Sequence, residues 1–141
     1  MARSCISMSE KLTCAKRPCG SCPYRKDAPS GLWDSSEYEK LPDYDGEIID
    51  QVMQGAIGVF MCHQQDGKLC AGWVAAHGPQ NLVALRMASG FDGNIDEAVW
   101  TYKTDVPVFA SGVEARNHGM QDIEEPGSRA RMMMTKLSRK K

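Results

Sequence analysis

Apolar residues fall along this chain in short bursts divided by glycine, proline and Asx residues, a pattern of short elements. Ala28-Pro29-Ser30-Gly31 reads as a turn before Leu32-Trp33 and a helix from Asp34 or Ser35 to Leu41, capped by one of those two and ended by Pro42. Asp45 is the expected cap of a second helix reaching Gln54, with Ile48, Ile49, Val52 and Met53 on one apolar face and Gly55 as its stop. Residues 57–61 have strand character and deliver Cys62. Gln65-Asp66-Gly67-Lys68 then supplies a turn, so Cys62 and Cys70 flank a hairpin-like loop. Further helices are expected over 71–76, ended by Gly78, over 80–88 with Leu82, Leu85 and Met87 inward, and from Asp92 to Tyr102 with Ile95, Ala98, Val99 and Tyr102 on one face. Val106–Phe109 is a short strand, Ser111 caps a last turn or two through Asn117, and residues 129–140 are helical in type, although three consecutive methionines give no clean stripe. The expected fold is a small single α+β domain, with short helices and a minor β-hairpin or sheet organised around a four-cysteine metal site. A mobile lead-in (1–17) precedes the domain (18–125), and a basic tail (126–141) follows it.

Four thiols carry the chemistry. Cys19 and Cys22 form a C-x2-C pair held out of helix by Pro18 and Pro23; after a gap of 39 residues Cys62 and Cys70 form a C-x7-C pair. Two local pairs of soft donors far apart in sequence close a long loop by coordination, which suits zinc or an iron–sulfur cluster. The loose second pair and the Cys22-Pro23 step favour [4Fe–4S], with Zn2+ as the alternative. Gly20 lets the knuckle backbone turn its amides toward sulfur. A thioredoxin-type dithiol is disfavoured because no strand precedes the motif and Pro23 follows it directly. Cys14-x4-Cys19-x2-Cys22 also matches a plant-type [2Fe–2S] spacing, but only 13 residues precede Cys14, too few for the strands that lead into such a loop. Cys5 reads as a free thiol.

Around the thiols, His63 is a neighbour able to donate an N–H to a sulfur, or to replace Cys62 as ligand. Trp73, Trp33 and Phe60 are expected to form a dry wall, and Arg25, with Lys26, to offset thiolate charge. His77 and His118 read as ordinary surface residues.

Charge alters this picture at one end. The chain carries 17 basic and 18 acidic residues, a formal charge of −1, but Arg129, Arg131, Lys136, Arg139, Lys140 and Lys141 all lie after Pro126 with no acid among them. Without those six, 11 basic residues face 18 acidic ones, a charge of −7 for residues 1–125. A basic tail on an acidic body can contact nucleic acid or an acidic protein. With 42% hydrophobic and 25% charged residues the chain should fold. No apolar run reaches the roughly 18 residues of a membrane span, and no apolar signal segment opens the chain, so the expected location is the cytoplasm, where cysteines serve as ligands rather than disulfides. Phosphate-loop, zinc-protease, nucleophile-elbow and spaced-acid nuclease motifs are all missing; an enzyme is the less favoured class.

The blocks Cys19-Gly20-Ser21-Cys22-Pro23-Tyr24-Arg25, Ser30-Gly31-Leu32-Trp33, Tyr38-Glu39-Lys40-Leu41, Met61-Cys62-His63-Gln64 and Cys70-Ala71-Gly72-Trp73 resemble a group of short uncharacterised proteins encoded by bacteriophages and actinobacteria. The resemblance spans about residues 18–90. It implies that Cys19, Cys22, Cys62 and Cys70 are the matched set, with Cys5 and Cys14 outside it, and that the chain is of phage or mobile-element origin. The WhiB-like regulators, small four-cysteine [4Fe–4S] proteins that bind a sigma factor and DNA, offer an analogy of size, cluster and basic tail, with cysteines in a different order. The expectation is therefore a small [4Fe–4S] protein, phage-encoded, regulating by binding protein or nucleic acid, with host transcription machinery as one partner. A zinc-stabilised interaction module and a cluster-dependent redox enzyme are the alternatives.

Overall fold

A computed structural model describes residues 11–62, 64–65, 67–92 and 95–139. The fold is mostly helical, and among the described residues β-structure is confined to four isolated bridges, so the α+β expectation gives way to a helical domain with a residual ladder. The ladder sits at the thiols. Met61 pairs antiparallel with Leu69, Leu69 pairs parallel with Cys14, and Cys62 N–H donates to Lys68 C=O at 2.8 Å while Cys70 N–H donates to Phe60 C=O at 2.9 Å. The expected hairpin is thus present in its shortest form. Segment 12–15, which has no hydrophobic period, is drawn in as its third line: Cys14 and Ala15 are buried, and Leu12 bridges to Ile95.

Helix α1 (Ser35–Glu39) is capped by Asp34, whose carboxylate accepts from Ser36 N–H at 3.1 Å. A 3₁₀ turn (Leu41–Tyr44) follows, entered through Pro42, which cannot donate to a continuing helix. Helix α2 (Ile48–Met53) is capped by a reciprocal box between Glu47 and Asp50, not by Asp45. Helix α3 (Ala71–His77) starts on Cys70 and stops at Gly78 (φ 82°). Helix α4 (Val83–Asp92) runs through Gly90, and α5 (Glu97–Trp100) is capped by Asp96. Helix α6 (Gly112–Met120) is capped by Ser111 as expected, and α7 is Ser128–Arg139.

The core gathers Leu41, Leu69, Trp73, Val74, Leu82, Leu85 and Val99, all fully buried. Helix α6 packs on α1 and the 3₁₀ turn through glycines: a Cβ at Gly112 would strike the Leu41 carbonyl, and one at Gly119 the Tyr38 ring. Close backbone approach is what those two positions require.

Two apolar patterns are turned differently from a simple periodic reading. On α2 the inward side chain is Gln51, fully buried: its amide donates to Gly46 C=O (3.1 Å) and Asn81 C=O (2.6 Å), and its carbonyl accepts from Val83 N–H (3.1 Å). That lock faces Ile49, Val52 and Met53 outward, 64, 43 and 80% exposed. On α7 the apolar line is Ala130, Met133, Met134 and Leu137, spaced i, i+3, i+4, i+7, with Ala130 buried and the others partly so; the run of methionines hides this stripe because Met132 belongs to the opposite, exposed face. No described helix is long and apolar enough to cross a membrane.

Candidate metal centre

The C-x2-C loop is a tight turn, Cys22 N–H donating to Cys19 C=O at 2.9 Å, pinned from several sides. Trp33 Nε1 donates to Ser21 C=O at 2.8 Å, and Arg25 reaches back to Pro18 C=O at 2.9 Å. Gln64 Nε2 donates to Ser21 Oγ at 2.7 Å, tying this loop to the Cys62 loop; Ser21, fully buried, also lies 3.5 Å from Cys19 Sγ. Cys70 enters from the hairpin as the cap of α3, its Sγ accepting from Trp73 N–H at 3.4 Å.

The structure brings Cys22 and Cys70 together, with sulfurs 3.6 Å apart and both residues buried. All five described cysteines are free thiols. Cys19 and Cys62 share the neighbourhood: burial raises the Cys19 thiol to about 11, Ser21 opposes this, and the charges of Cys22 and Cys62 add to it. Cys70, fully desolvated, is pushed well up, while its hydrogen bond to Cys22 pulls the Cys22 thiol down. As placed, no three His, Cys, Asp or Glu side chains among the described residues stand close enough to hold one metal ion. Two of the expected ligands are thus in contact and two stand nearby.

The donor chemistry nevertheless fits a metal. Cys62 Sγ accepts from the backbone N–H of Gln64 (3.4 Å) and Gln65 (3.3 Å), and Cys70 Sγ from that of Trp73 (3.4 Å); the amide of Ser21 acts to lower the Cys19 pKa, and those of Tyr24, Arg25 and Gly72 that of Cys22. Amides aimed at sulfur favour the thiolate, the form that binds metal. The Gly72 backbone lies so near the pair that a Cβ there would collide with Cys22 Sγ and Tyr24 Cβ. Two ligands of one tetrahedral ion with bonds of roughly 2.3 Å stand roughly 3.8 Å apart, close to the Cys22–Cys70 separation.

Aromatic side chains pack beside the thiols. Trp73 and Phe60 are buried and form an aromatic cluster with Tyr24 and Tyr44: Tyr24–Phe60, Tyr44–Phe60 and Tyr44–Trp73 meet edge to face with centroids 5.3–6.3 Å apart, and Phe60 and Trp73 lie tilted at 6.4 Å. Trp33 clamps the loop instead. Trp73 Nε1 is a buried donor with no acceptor. Arg25 pairs with Asp27 at 2.6 Å. His63, Lys140, Lys141 and Cys5 lie outside the described residues.

His77 is not a surface residue. Its side chain is 4% exposed; Tyr24 Oη donates to Nε2 at 2.8 Å and Asp45 Oδ1 stands 3.5 Å from Nδ1. Burial pushes its pKa down to about 4, against the opposing charge of Asp45, so the ring is neutral. Asp45 also accepts from Gly112 and Val113 N–H at 2.7 and 3.0 Å, joining the start of α6 to this chain of polar groups. His118 is half-buried against Phe109, its Nε2 2.7 Å from Ala28 C=O. Sequence reasoning missed the Tyr24–His77–Asp45 line because its members are 53 and 32 residues apart and no local spacing marks them.

Of the tail residues, Arg129 donates to Asp27 C=O at 3.0 Å and Arg131 to Pro126 C=O at 2.7 Å, Lys136 is exposed, and Arg139 ends α7.

Neither the curated proteins nor the solved structures compared with this chain gave a match. A family model does match, over residues 14–139, a span that takes in the four thiols and Cys14 and ends at the last residue of α7. The chain belongs to that family, a family of unknown function (DUF6283).

Proposed function

We propose that Cys19, Cys22, Cys62 and Cys70 hold a thiolate-ligated metal centre that fixes the fold, and that the protein acts by binding another macromolecule. The observation that carries the reading is the contact of the buried Cys22 and Cys70 sulfurs at 3.6 Å, drawn from the C-x2-C loop and from the second cysteine pair. The 3.6 Å separation of Cys22 and Cys70 favours a single tetrahedral ion, zinc before iron, because cubane ligands sit on different irons and stand farther apart. A [4Fe–4S] cluster is the second reading, supported by the loose C-x7-C spacing and the Cys22-Pro23 step. Binding is assigned to the exposed basic face of α7, suited to phosphates or to an acidic protein surface; a regulatory role in phage or host transcription belongs to the same reading.

Protein purified without oxygen should contain one zinc per chain and no visible band. Cys62→Ser should lose the metal and Cys14→Ser should keep it. Iron and sulfide in equal amounts, with broad visible absorption, would shift the assignment to the cluster. Metal-free, fully folded protein would overturn both.

A further inference from the structure

The outward face of α2 is unusual for so small a domain. Ile49 and Met53, one turn apart, and Val52 and Ile57 beside them are 64, 80, 43 and 50% exposed, and the buried hydrogen bonds of Gln51 hold the helix in that orientation. In sequence, the stretch between Lys40 and Lys68 carries acids and no lysine or arginine. Glu47 and Asp50 are exposed on the first turn of α2.

The complementary surface is in the same chain. On the exposed face of α7, Met132, 65% exposed, lies between Arg129 at i−3 and Lys136 at i+4, and residues 126–141 carry six basic side chains and no acid. This is an apolar anchor with a basic rim, matching an apolar patch with an acidic rim. Within one molecule α7 is committed elsewhere: Ala130 is buried and Arg129 holds Asp27 C=O. We infer that the α2 face binds the exposed, basic face of α7 from a second copy of this chain, so that the protein self-associates through an α2–α7 contact. The inference rests on the binding role given to α7 above and not on the identity of the metal.

Sedimentation velocity on the metal-loaded full chain tests it, with circular dichroism confirming the fold of each variant. Self-association of the wild type should weaken as salt is raised, since the contact is rimmed by opposite charges. Met53→Glu and, separately, Met132→Glu/Lys136→Glu should each weaken it by about tenfold or more, as loss of a central anchor does. Mixing the two variants should restore association, because one supplies an intact α7 and the other an intact α2. A wild-type protein that stays monomeric at all concentrations overturns the inference while leaving a nucleic-acid role for α7 open. So does loss of association in Met53→Glu alone, which would mean that α2 faces pair with each other, or a mixture that fails to associate.

Discussion

Single residues set the limits of the thiol site. Gly72 allows the α3 backbone to approach Cys22 Sγ, and alanine there must displace the sulfur or the Tyr24 side chain. Gly72→Ala should destabilise the metal-loaded protein by about 1–3 kcal/mol, the usual cost of overpacking a core. Gly90→Ala, on a stretch of α4 with open space at the Cβ, should be neutral or stabilising by up to about 1 kcal/mol. Chemical denaturation of the two variants side by side checks both; equal effects would contradict the packing argument. His77 makes a second residue-level prediction. Its pKa is about 4 in the folded protein, held down by burial, against an unfolded value near 6.5. The unfolded chain therefore takes up the proton first as pH falls. Stability contributed by neutral His77 is complete above about pH 6.5 and is lost progressively down to about pH 4, by about 3 kcal/mol in all. His77→Gln keeps an acceptor for Tyr24 Oη and should flatten that part of the pH profile, measured as wild type minus variant; an unchanged slope would show that His77 is already protonated when folded.

At the scale of elements, helices are held in place by polar contacts across the chain as much as by their apolar faces. Gln51 is the clearest case. Gln51→Leu keeps the volume but strands the Gly46 and Asn81 carbonyls and the Val83 N–H, and should cost about 3 kcal/mol, read from a denaturant midpoint shift. A neutral result would mean that solvent reaches those groups. This helix also shows where sequence reading stops. Caps were readable where they are local: Asp34 before α1, Ser111 before α6 and Gly78 after α3 all stand where turn and cap chemistry puts them. The α2 stripe was visible too, but which way it faces depends on Gln51 finding Asn81 and Val83 some 30 residues away. Asp45 likewise looks like a local cap and instead serves α6, 67 residues on. The pairing of segment 12–15 with Leu69 and Ile95 has no periodic signal because each bridge is a single residue long. For the candidate site, spacing singles out two cysteine pairs as a proposal, and the contact of Cys22 with Cys70 rather than with Cys19 has no local signal.

For the whole molecule, the proposed metal centre would couple metal binding to the fold. The thiol site joins the C-x2-C loop, the hairpin and the start of α3, and the Tyr24–His77–Asp45 line carries contacts on to α6. A domain of this size has a modest core, so a bound metal linking these segments contributes directly to folding. The first measurement to make is X-ray absorption at the metal edge of the anaerobically purified chain, which counts the ligand atoms. Four sulfurs at about 2.3 Å around zinc, with no nearby second metal, is the predicted result. A shell dominated by nitrogen or oxygen, or fewer than three sulfurs, would contradict the four-cysteine centre on which the functional proposal stands.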